Sequence, residues 1–168
     1  MFDNLLNGIF VNYIDFLYAI GYFGEYITFI ITCALIFNQR IFFIFYIIFF
    51  ILNRFINQYI KKIFKGERPN NPIKFLESDK FTKKKYGMPS GHSQLAFFSI
   101  VYCYLVTNNF IPWMVLLLAI GVIVLYERYK FNNHTIDQLV YGAVFGSAIA
   151  FVCYYIVKII KTKILNKY

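Results

Sequence analysis

Two histidines, His92 and His134, lie in polar segments that interrupt long apolar runs, and the sequence contains no other histidine. His92 ends the tetrapeptide PSGH at 89–92, and His134 follows Arg128 by six residues. A neutral imidazole can act as a nucleophile, and a protonated imidazole can act as a general acid near neutral pH. The two side chains therefore indicate nucleophilic displacement assisted by proton transfer.

Basic residues accompany the histidines in a pattern that suits a phosphate group. Lys61 precedes Arg68 by seven residues, and Arg128 precedes the second histidine. Phosphoryl transfer without a metal needs such cations, because charge on the transferred group must be neutralised. Ser90 and Gly91 directly precede an apolar run. We therefore expect a helix N-terminus there, whose backbone N–H groups bind an anion and whose glycine permits close approach.

The composition is that of a membrane protein. The 168 residues are 60% hydrophobic, with a mean hydropathy of +0.57, whereas soluble domains are about 45–50% apolar. A chain of this length cannot hide so much apolar surface in one water-soluble core. We therefore predict a single membrane domain over residues 1–168. The net charge is +9. Because the basic residues are interleaved with apolar runs, we exclude nucleic acid as a partner.

Five apolar segments are long enough, or nearly so, to cross a bilayer. The sequence thus predicts an all-α, polytopic helix bundle in which an interfacial helix over Asn7–Ile20 precedes the first span. The N-terminus has no basic residue before Arg40, so we expect no secretory signal peptide. The predicted spans are 22–37, 41–60, 93–106, 111–126 and 136–160.

Five spans place the two polar connections, 61–88 and 127–135, on the same side of the membrane. Arg54 lies inside the second apolar segment, where an unpaired charge is costly, so it should face protein or water. It shares a helical stripe with Asn57 and Lys61. We expect this stripe to face the site cavity, with Glu25 as a possible partner of Arg54.

Three cysteines lie in apolar runs and form no CxxC motif. We interpret them as small buried hydrophobic residues rather than as a disulfide framework. They are Cys33, Cys103 and Cys153.

At these motifs the chain resembles the type 2 phosphatidic acid phosphatase superfamily, whose pattern is KxxxxxxRP, then PSGH, then SRxxxxxHxxxD. The matching segments here are 61–69, 89–92 and 128–134. The resemblance implies that His134 is a nucleophile that forms a phosphohistidine and that His92 is the general acid. It implies that neither a metal nor another cofactor takes part. It also implies a set of residues that hold the phosphate: Lys61, Arg68, Ser90, Gly91 and Arg128.

Two positions depart from the superfamily pattern. Glu127 stands where the pattern has serine, and Gln138 stands where it has the aspartate that orients the nucleophile. An acid occurs one place earlier, at Asp137, and both positions lie over the same helical turn as His134. Either Asp137 or Gln138 could therefore orient the imidazole. The dolichyldiphosphatase group is similar to this chain in having glutamine at that position.

The segments 86–94 and 134–142 also resemble dolichyldiphosphatases. This resemblance implies an integral membrane phosphatase that converts a polyprenyl (dolichyl-like) diphosphate to the monophosphate, in an endoplasmic-reticulum-type membrane if the source is eukaryotic, with a lumenal site. One alternative is a phosphatase of phosphatidate or another glycerolipid phosphate. Another is a catalytically inactive lipid-phosphate binder or flippase. In each case the partner is a membrane lipid that carries phosphate or diphosphate, and we expect no obligate protein partner.

Overall fold

The structure, a computed structural model, is an all-α bundle with five helices among the residues that it describes. It describes the backbone of residues 2–76, 85–107 and 111–166, and the side chains in those ranges other than 2–14, 111 and 165. The fold class predicted from the sequence is confirmed. The helices are α1 (Phe2–Ile36), α2 (Arg40–Phe64), α3 (Gly91–Thr107), α4 (Ile111–Lys130) and α5 (Ile136–Leu165).

Four helices are long and apolar enough to cross a membrane, namely within Asp15–Ile36, Arg40–Phe64, Pro112–Lys130 and Ile136–Ile164. The chain is an integral membrane protein. The remaining helix, α3, has 17 residues, which corresponds to about 26 Å, and it contacts each of the other four helices.

The predicted interfacial helix over Asn7–Ile20 is not a separate element in the structure. Its backbone is continuous with the first span, and together they form α1. The reason is local: no proline occurs between residues 2 and 36, so nothing in that stretch removes a backbone donor and breaks the helix.

Helices α1, α3 and α5 run in one direction, and α2 and α4 run in the other. Phe29 of α1 packs on Phe50 of α2, with 4.4 Å between ring centroids. Glu25, one turn earlier in α1, pairs with Arg54, one turn later in α2. This alternation brings the polar ends of α2, α3, α4 and α5 to one end of the bundle, as the predicted topology requires.

The centre of the bundle is aromatic. Tyr46 is fully buried, its ring stacks on Phe98 at 5.8 Å between centroids, and its hydroxyl donates to Ser99 Oγ at 2.7 Å. A buried tyrosine needs such a partner for its hydroxyl. All three cysteines are free thiols, and Cys103 and Cys153 are buried as predicted, whereas Cys33 is half-buried.

Two glycines let α5 lie directly against α3. A Cβ atom at Gly146 would stand 2.1 Å from the carbonyl oxygen of Gln94, and one at Gly142 would stand 2.6 Å from that of Ser90. Both obstacles are backbone atoms, which cannot move aside alone. The close crossing therefore fixes the N-terminal turn of α3 against the first turns of α5.

We predict that Gly146→Ala destabilises the protein by about 1–3 kcal/mol, the usual cost of overpacking. Gly121→Ala is the matched control, since its new methyl would crowd the flexible end of the Ile100 side chain and meet the Phe97 ring at an ordinary contact distance. Alanine also has the higher helix propensity. Thermal unfolding in detergent micelles would compare them. An equal Tm for Gly146→Ala and the wild type would contradict the proposed constraint.

Candidate active site

Four helix ends meet at one end of the bundle and carry most of the predicted site residues. They surround a cavity of about 520 Å³. Ser90 is fully buried at the start of α3, next to this cavity. The predicted catalytic and phosphate-binding residues that line the cavity are Lys61, Arg68, Gly91, His92, Arg128 and His134.

His134 is held in one orientation by a chain of two hydrogen bonds. Its Nδ1 lies 2.9 Å from Gln138 Oε1, and Gln138 Nε2 donates to the carbonyl oxygen of Glu67 at 2.6 Å. Because a carbonyl oxygen can only accept, the amide must turn its NH2 group toward Glu67 and its oxygen toward His134. The neutral imidazole therefore carries its proton on Nδ1, and Nε2 keeps its lone pair.

The alternative between Asp137 and Gln138 has a clear geometric outcome. Gln138 is buried and contacts His134, whereas Asp137 is exposed in the first turn of α5. Thr135 caps this helix by accepting from the Gln138 N–H, which holds the glutamine in the turn that faces the histidine. A carboxylate in the first turn instead suits the positive end of the helix dipole.

We predict that Gln138→Leu lowers kcat for phosphate release by about tenfold to a hundredfold, because a buried Nδ1–H loses its acceptor. Asp137→Asn is the adjacent control and should stay within about twofold of wild type. Both variants should be assayed on the same lipid phosphate after their folding has been checked. A larger loss in Asp137→Asn would reverse the assignment.

Arg68 lies beside the Nε2 nitrogen of His134. Its Nη1 is 3.3 Å from His134 Nε2 and donates to the carbonyl oxygen of Asn133 at 3.1 Å. Gly87 makes room for this arrangement, since a Cβ there would stand 2.8 Å from Arg68 Cγ and 2.6 Å from Gln138 Oε1. An isolated β-bridge between residues 67 and 86 joins the two segments of the loop and keeps Arg68 in place.

Glu127, the departure from the superfamily serine, is buried and forms an ion pair with Arg128. Its carboxylate contacts Arg128 Nε and accepts from Nη2 at 2.9 Å. The pair uses one edge of the guanidinium and leaves the Nη1–Nη2 edge for an anion. Gly21 of α1 lets α1 and α4 approach closely here, because a Cβ there would stand 2.3 Å from Glu127 Cβ. Tyr22 covers the guanidinium, 4.9 Å from its ring centroid.

The start of α3 is fixed from two sides. Ser90 N–H donates to the carbonyl oxygen of Gln138 at 2.9 Å. Asn57 of α2 donates to the carbonyl oxygen of Pro89 at 3.2 Å and to Gln94 Oε1 at 2.8 Å. The first N–H groups of a helix have no intrahelical acceptors and form an anion site. These contacts hold Gly91 and His92 at the wall of the cavity.

Sequence reasoning missed part of this support. Gln94 also donates to Asn53 Oδ1 at 2.6 Å, which completes a buried polar network with Asn57. The signal was present as the spacing of Asn53, Asn57 and Lys61 along one face of α2, of which only the latter two were assigned to the site stripe. The Glu67 carbonyl could not be found, because a backbone acceptor leaves no trace in the residue type.

The expected partner of Arg54 is confirmed. Arg54 pairs with Glu25 and donates to the Tyr26 hydroxyl at 2.9 Å. Arg54, Asn57 and Lys61 all line the cavity, as the helical stripe predicts. Beyond this pair the cavity wall becomes apolar. Its apolar members are Phe29, Phe50, Ile51, Phe55 and Leu95.

Burial and neighbouring cations set the protonation of His134. Burial lowers the pKa of His134 well below the ordinary value of 6.5, the charges of Arg68 and Lys61 lower it further, and the Gln138 hydrogen bond acts in the opposite direction. The ring is therefore neutral at neutral pH and becomes protonated only in more acid solution. The histidine binds a proton more readily in the unfolded chain than in the folded one. Its contribution to the free energy of unfolding therefore falls as the pH drops below the ordinary histidine pKa.

We predict that Arg68→Gln raises the pKa of His134, because it removes a nearby positive charge. The His92→Asn background leaves one histidine, whose ring signals can be followed by NMR against pH. Arg40→Gln, at the opposite end of α2, is the matched loss of an arginine and should leave the midpoint unchanged. Identical midpoints with and without Arg68 would contradict the stated cause.

The site residues are not a metal-binding set. Within the ranges described above, no three His, Cys, Asp or Glu side chains come together in a way that could hold a metal ion. The groups that line the polar end of the cavity are mostly cations and imidazoles, which suit an anion.

Comparison with known proteins assigns this arrangement to a family. The family model described as "PAP2 superfamily" matches residues 42–161, which include all three motifs. The chain belongs to the PAP2 superfamily. The resemblance inferred from the three motifs is confirmed. A crystal structure of a PAP2 type phosphatidylglycerolphosphate phosphatase from Bacillus subtilis has the same fold, with a TM-score of 0.63 and 18% identity over 92% of this chain and 78% of that one.

Curated relatives carry the names of lipid phosphatases. Dolichyldiphosphatase 1 of Homo sapiens is 30% identical over 132 residues, which are 69% of this chain and 53% of the relative. Its Mus musculus counterpart is 31% identical over 149 residues, or 79% and 60%. Lipid phosphate phosphatase gamma of Arabidopsis thaliana is 28% identical over 124 residues, or 68% and 53%. The chain thus spans about half the length of the human relative.

Proposed function

We propose that this PAP2 protein is a membrane phosphatase that hydrolyses a polyprenyl (dolichyl-like) diphosphate to the monophosphate through a phosphohistidine. The observation that carries the proposal is the state of His134. Its Nδ1 is engaged by Gln138, which leaves Nε2 as a nucleophile among Lys61, Arg68 and Arg128, all of which line the same cavity.

In the first step His134 Nε2 attacks the terminal phosphorus, and the bond from phosphorus to the leaving oxygen breaks. The cations and the N–H groups at the start of α3 stabilise the charge on the three equatorial oxygens. In the empty cavity, burial and the charge of Arg128 lower the pKa of His92, whereas the bound anionic phosphates favour its protonated form. Protonated His92 then donates its proton to the leaving oxygen, so the lipid departs as the monophosphate. Gln138 supports this step by fixing the imidazole, although an amide stabilises the resulting cation less than a carboxylate would.

In the second step water attacks the phosphohistidine. Neutral His92 accepts a proton from this water, the bond from phosphorus to Nε2 breaks, and inorganic phosphate leaves. His134 returns to its neutral form and His92 to its protonated form. The two steps balance without a metal or another cofactor.

The substrate class rests on the cavity and on the relatives. The polar end of the cavity would hold phosphate, and its wall of phenylalanine and aliphatic side chains would hold the first part of an apolar chain. Two of the relatives above are named dolichyldiphosphatase, which favours a polyprenyl diphosphate over phosphatidate. The remainder of the lipid would stay in the bilayer.

The site belongs, in this proposal, on the lumenal side of an endoplasmic-reticulum-type membrane, if the source is eukaryotic. Lys158, Lys161 and Lys163 lie in the last part of α5, at the opposite end of the bundle. Basic residues near span ends favour the cytoplasmic side. The basic residues of the site are not counted, because phosphate binding explains them.

We predict that purified wild-type protein in detergent releases phosphate from a polyprenyl diphosphate in the presence of EDTA, and that His134→Ala reduces the release by at least about a thousandfold. Acid quenching during turnover should trap a phosphorylated wild-type protein and no phosphorylated variant. Phosphatidate serves as the competing substrate. Preferred turnover of phosphatidate would replace the substrate assignment and keep the mechanism.

If the folded wild-type protein releases phosphate from neither lipid, the proposed phosphatase activity is refuted. That result would favour a lipid-phosphate binder or flippase. Glu127 would then be the first residue to test, because it pairs with Arg128 and offsets one positive charge of the site. Glu127→Ser restores the superfamily residue. Activity gained in Glu127→Ser would identify this pair as the cause of the inactivity.

A further inference from the structure

The Glu25–Arg54 ion pair lies on the cavity wall and has no part in the two steps above. Glu25 is 2% exposed, whereas the Arg54 side chain is 41% exposed, and both residues line the cavity. Arg54 uses Nη2 for Glu25 and for the Tyr26 hydroxyl. These two contacts leave Nε and Nη1 of the guanidinium as further donors.

Arg54 stands between the reacting end of the cavity and its apolar wall. It lies seven residues before Lys61 on the same face of α2, about 10 Å along the helix axis. One turn further away from Lys61, Phe50 packs on Phe29, where the apolar part begins. Along the cavity, the guanidinium therefore lies between the position of the reacting phosphate and that of the lipid tail.

A lipid diphosphate differs from a lipid monophosphate by one anionic group, which joins the terminal phosphate to the tail. With the terminal phosphate at His134 and the tail against the phenylalanines, this second phosphate must lie between them. An arginine is the side chain best suited to bind it, since its fork matches two phosphate oxygens. A monophosphate would place only an uncharged linkage at the same position.

We propose that Arg54 binds the lipid-proximal phosphate of the substrate and makes the site prefer diphosphates over monophosphates. The inference rests on the proposed function, because it assumes that the terminal phosphate reacts at His134. Glu25 holds Arg54 in place when the cavity is empty, and it competes with the substrate for the guanidinium. Removal of the Glu25 charge should therefore strengthen the preference, and removal of the Arg54 charge should abolish it.

The test compares a prenyl diphosphate with a prenyl monophosphate of the same chain length, as the ratio of their kcat/KM values. Arg54→Met should lower this ratio at least about tenfold, the loss expected for a charge-assisted hydrogen bond. Glu25→Gln should raise the ratio above the wild-type value, because the substrate then no longer competes with a carboxylate for Arg54. Arg40→Met, on the same helix at the other end, is the control and should match wild type.

Arg54→Met leaves Glu25 buried without its partner and can fail to fold for that reason. The double variant Glu25→Gln with Arg54→Gln removes both charges at nearly constant volume, and it should show the same lowered ratio. Equal losses for the two substrates would show that the pair only supports the fold. An unchanged ratio, or a wild type without preference for the diphosphate, would also overturn the inference.

Binding separates this inference from the proposed function. In the His134→Ala background the two lipids can compete for the cavity without turnover. A tighter affinity for the diphosphate that is lost on Arg54→Met would support the Arg54 site even if the wild type releases no phosphate. Equal affinities for both lipids in that background would reject the Arg54 site whatever the activity of the wild type.

Discussion

The amide of Gln138 is the interaction on which the rest of the site depends. It accepts from His134 on one side and donates to the Glu67 carbonyl on the other, so a backbone atom of a loop decides which imidazole nitrogen is basic. The orientation of His134 therefore depends on the position of this loop. This explains why a glycine is packed against the amide at residue 87 and why a bridge ties residues 67 and 86 together.

Charge balance around the cavity follows from its position at the edge of an apolar bundle. Two buried carboxylates near the cavity have arginine partners: Glu127 pairs with Arg128, and Glu25 with Arg54. Unpaired charges would be costly in such surroundings. The pairs lower the net positive charge of the empty cavity while they keep arginine donors available. The site can thus attract an anion without an excess of buried cations.

Much of this arrangement could be predicted from the sequence. The all-α fold, the polar connections on one side and the stripe of Arg54, Asn57 and Lys61 follow from hydropathy and helical periodicity. The continuous α1 did not follow, because a polar Asp15 within an apolar helix resembles the wet face of an interfacial helix. Gln138 could not be separated from Asp137 by spacing alone, since both lie over the same turn as His134.

The interactions that fix the site were harder to foresee for a physical reason. The Glu67 and Pro89 carbonyls act through the backbone, and the role of Gly146 depends on the distance to Gln94 in another helix. Neither property is encoded in the type of a single residue. The pairing of Glu127 with its own neighbour was equally hidden, because adjacent positions on a helix do not normally face each other.

The central position of α3 has a consequence for how the protein tolerates its surroundings. Helix α3 packs against the aromatic centre through Phe98 and Ser99. It begins at Gly91, directly after Ser90, and His92 lies in its first turn. The other four helices surround it, so lipid or detergent meets mainly the outer layer. Exchange of the surrounding amphiphile therefore changes how a substrate enters more than how the reacting groups are aligned. The first turn of α3 loses its position only when the interior unfolds, so this part of the site is as stable as the global fold.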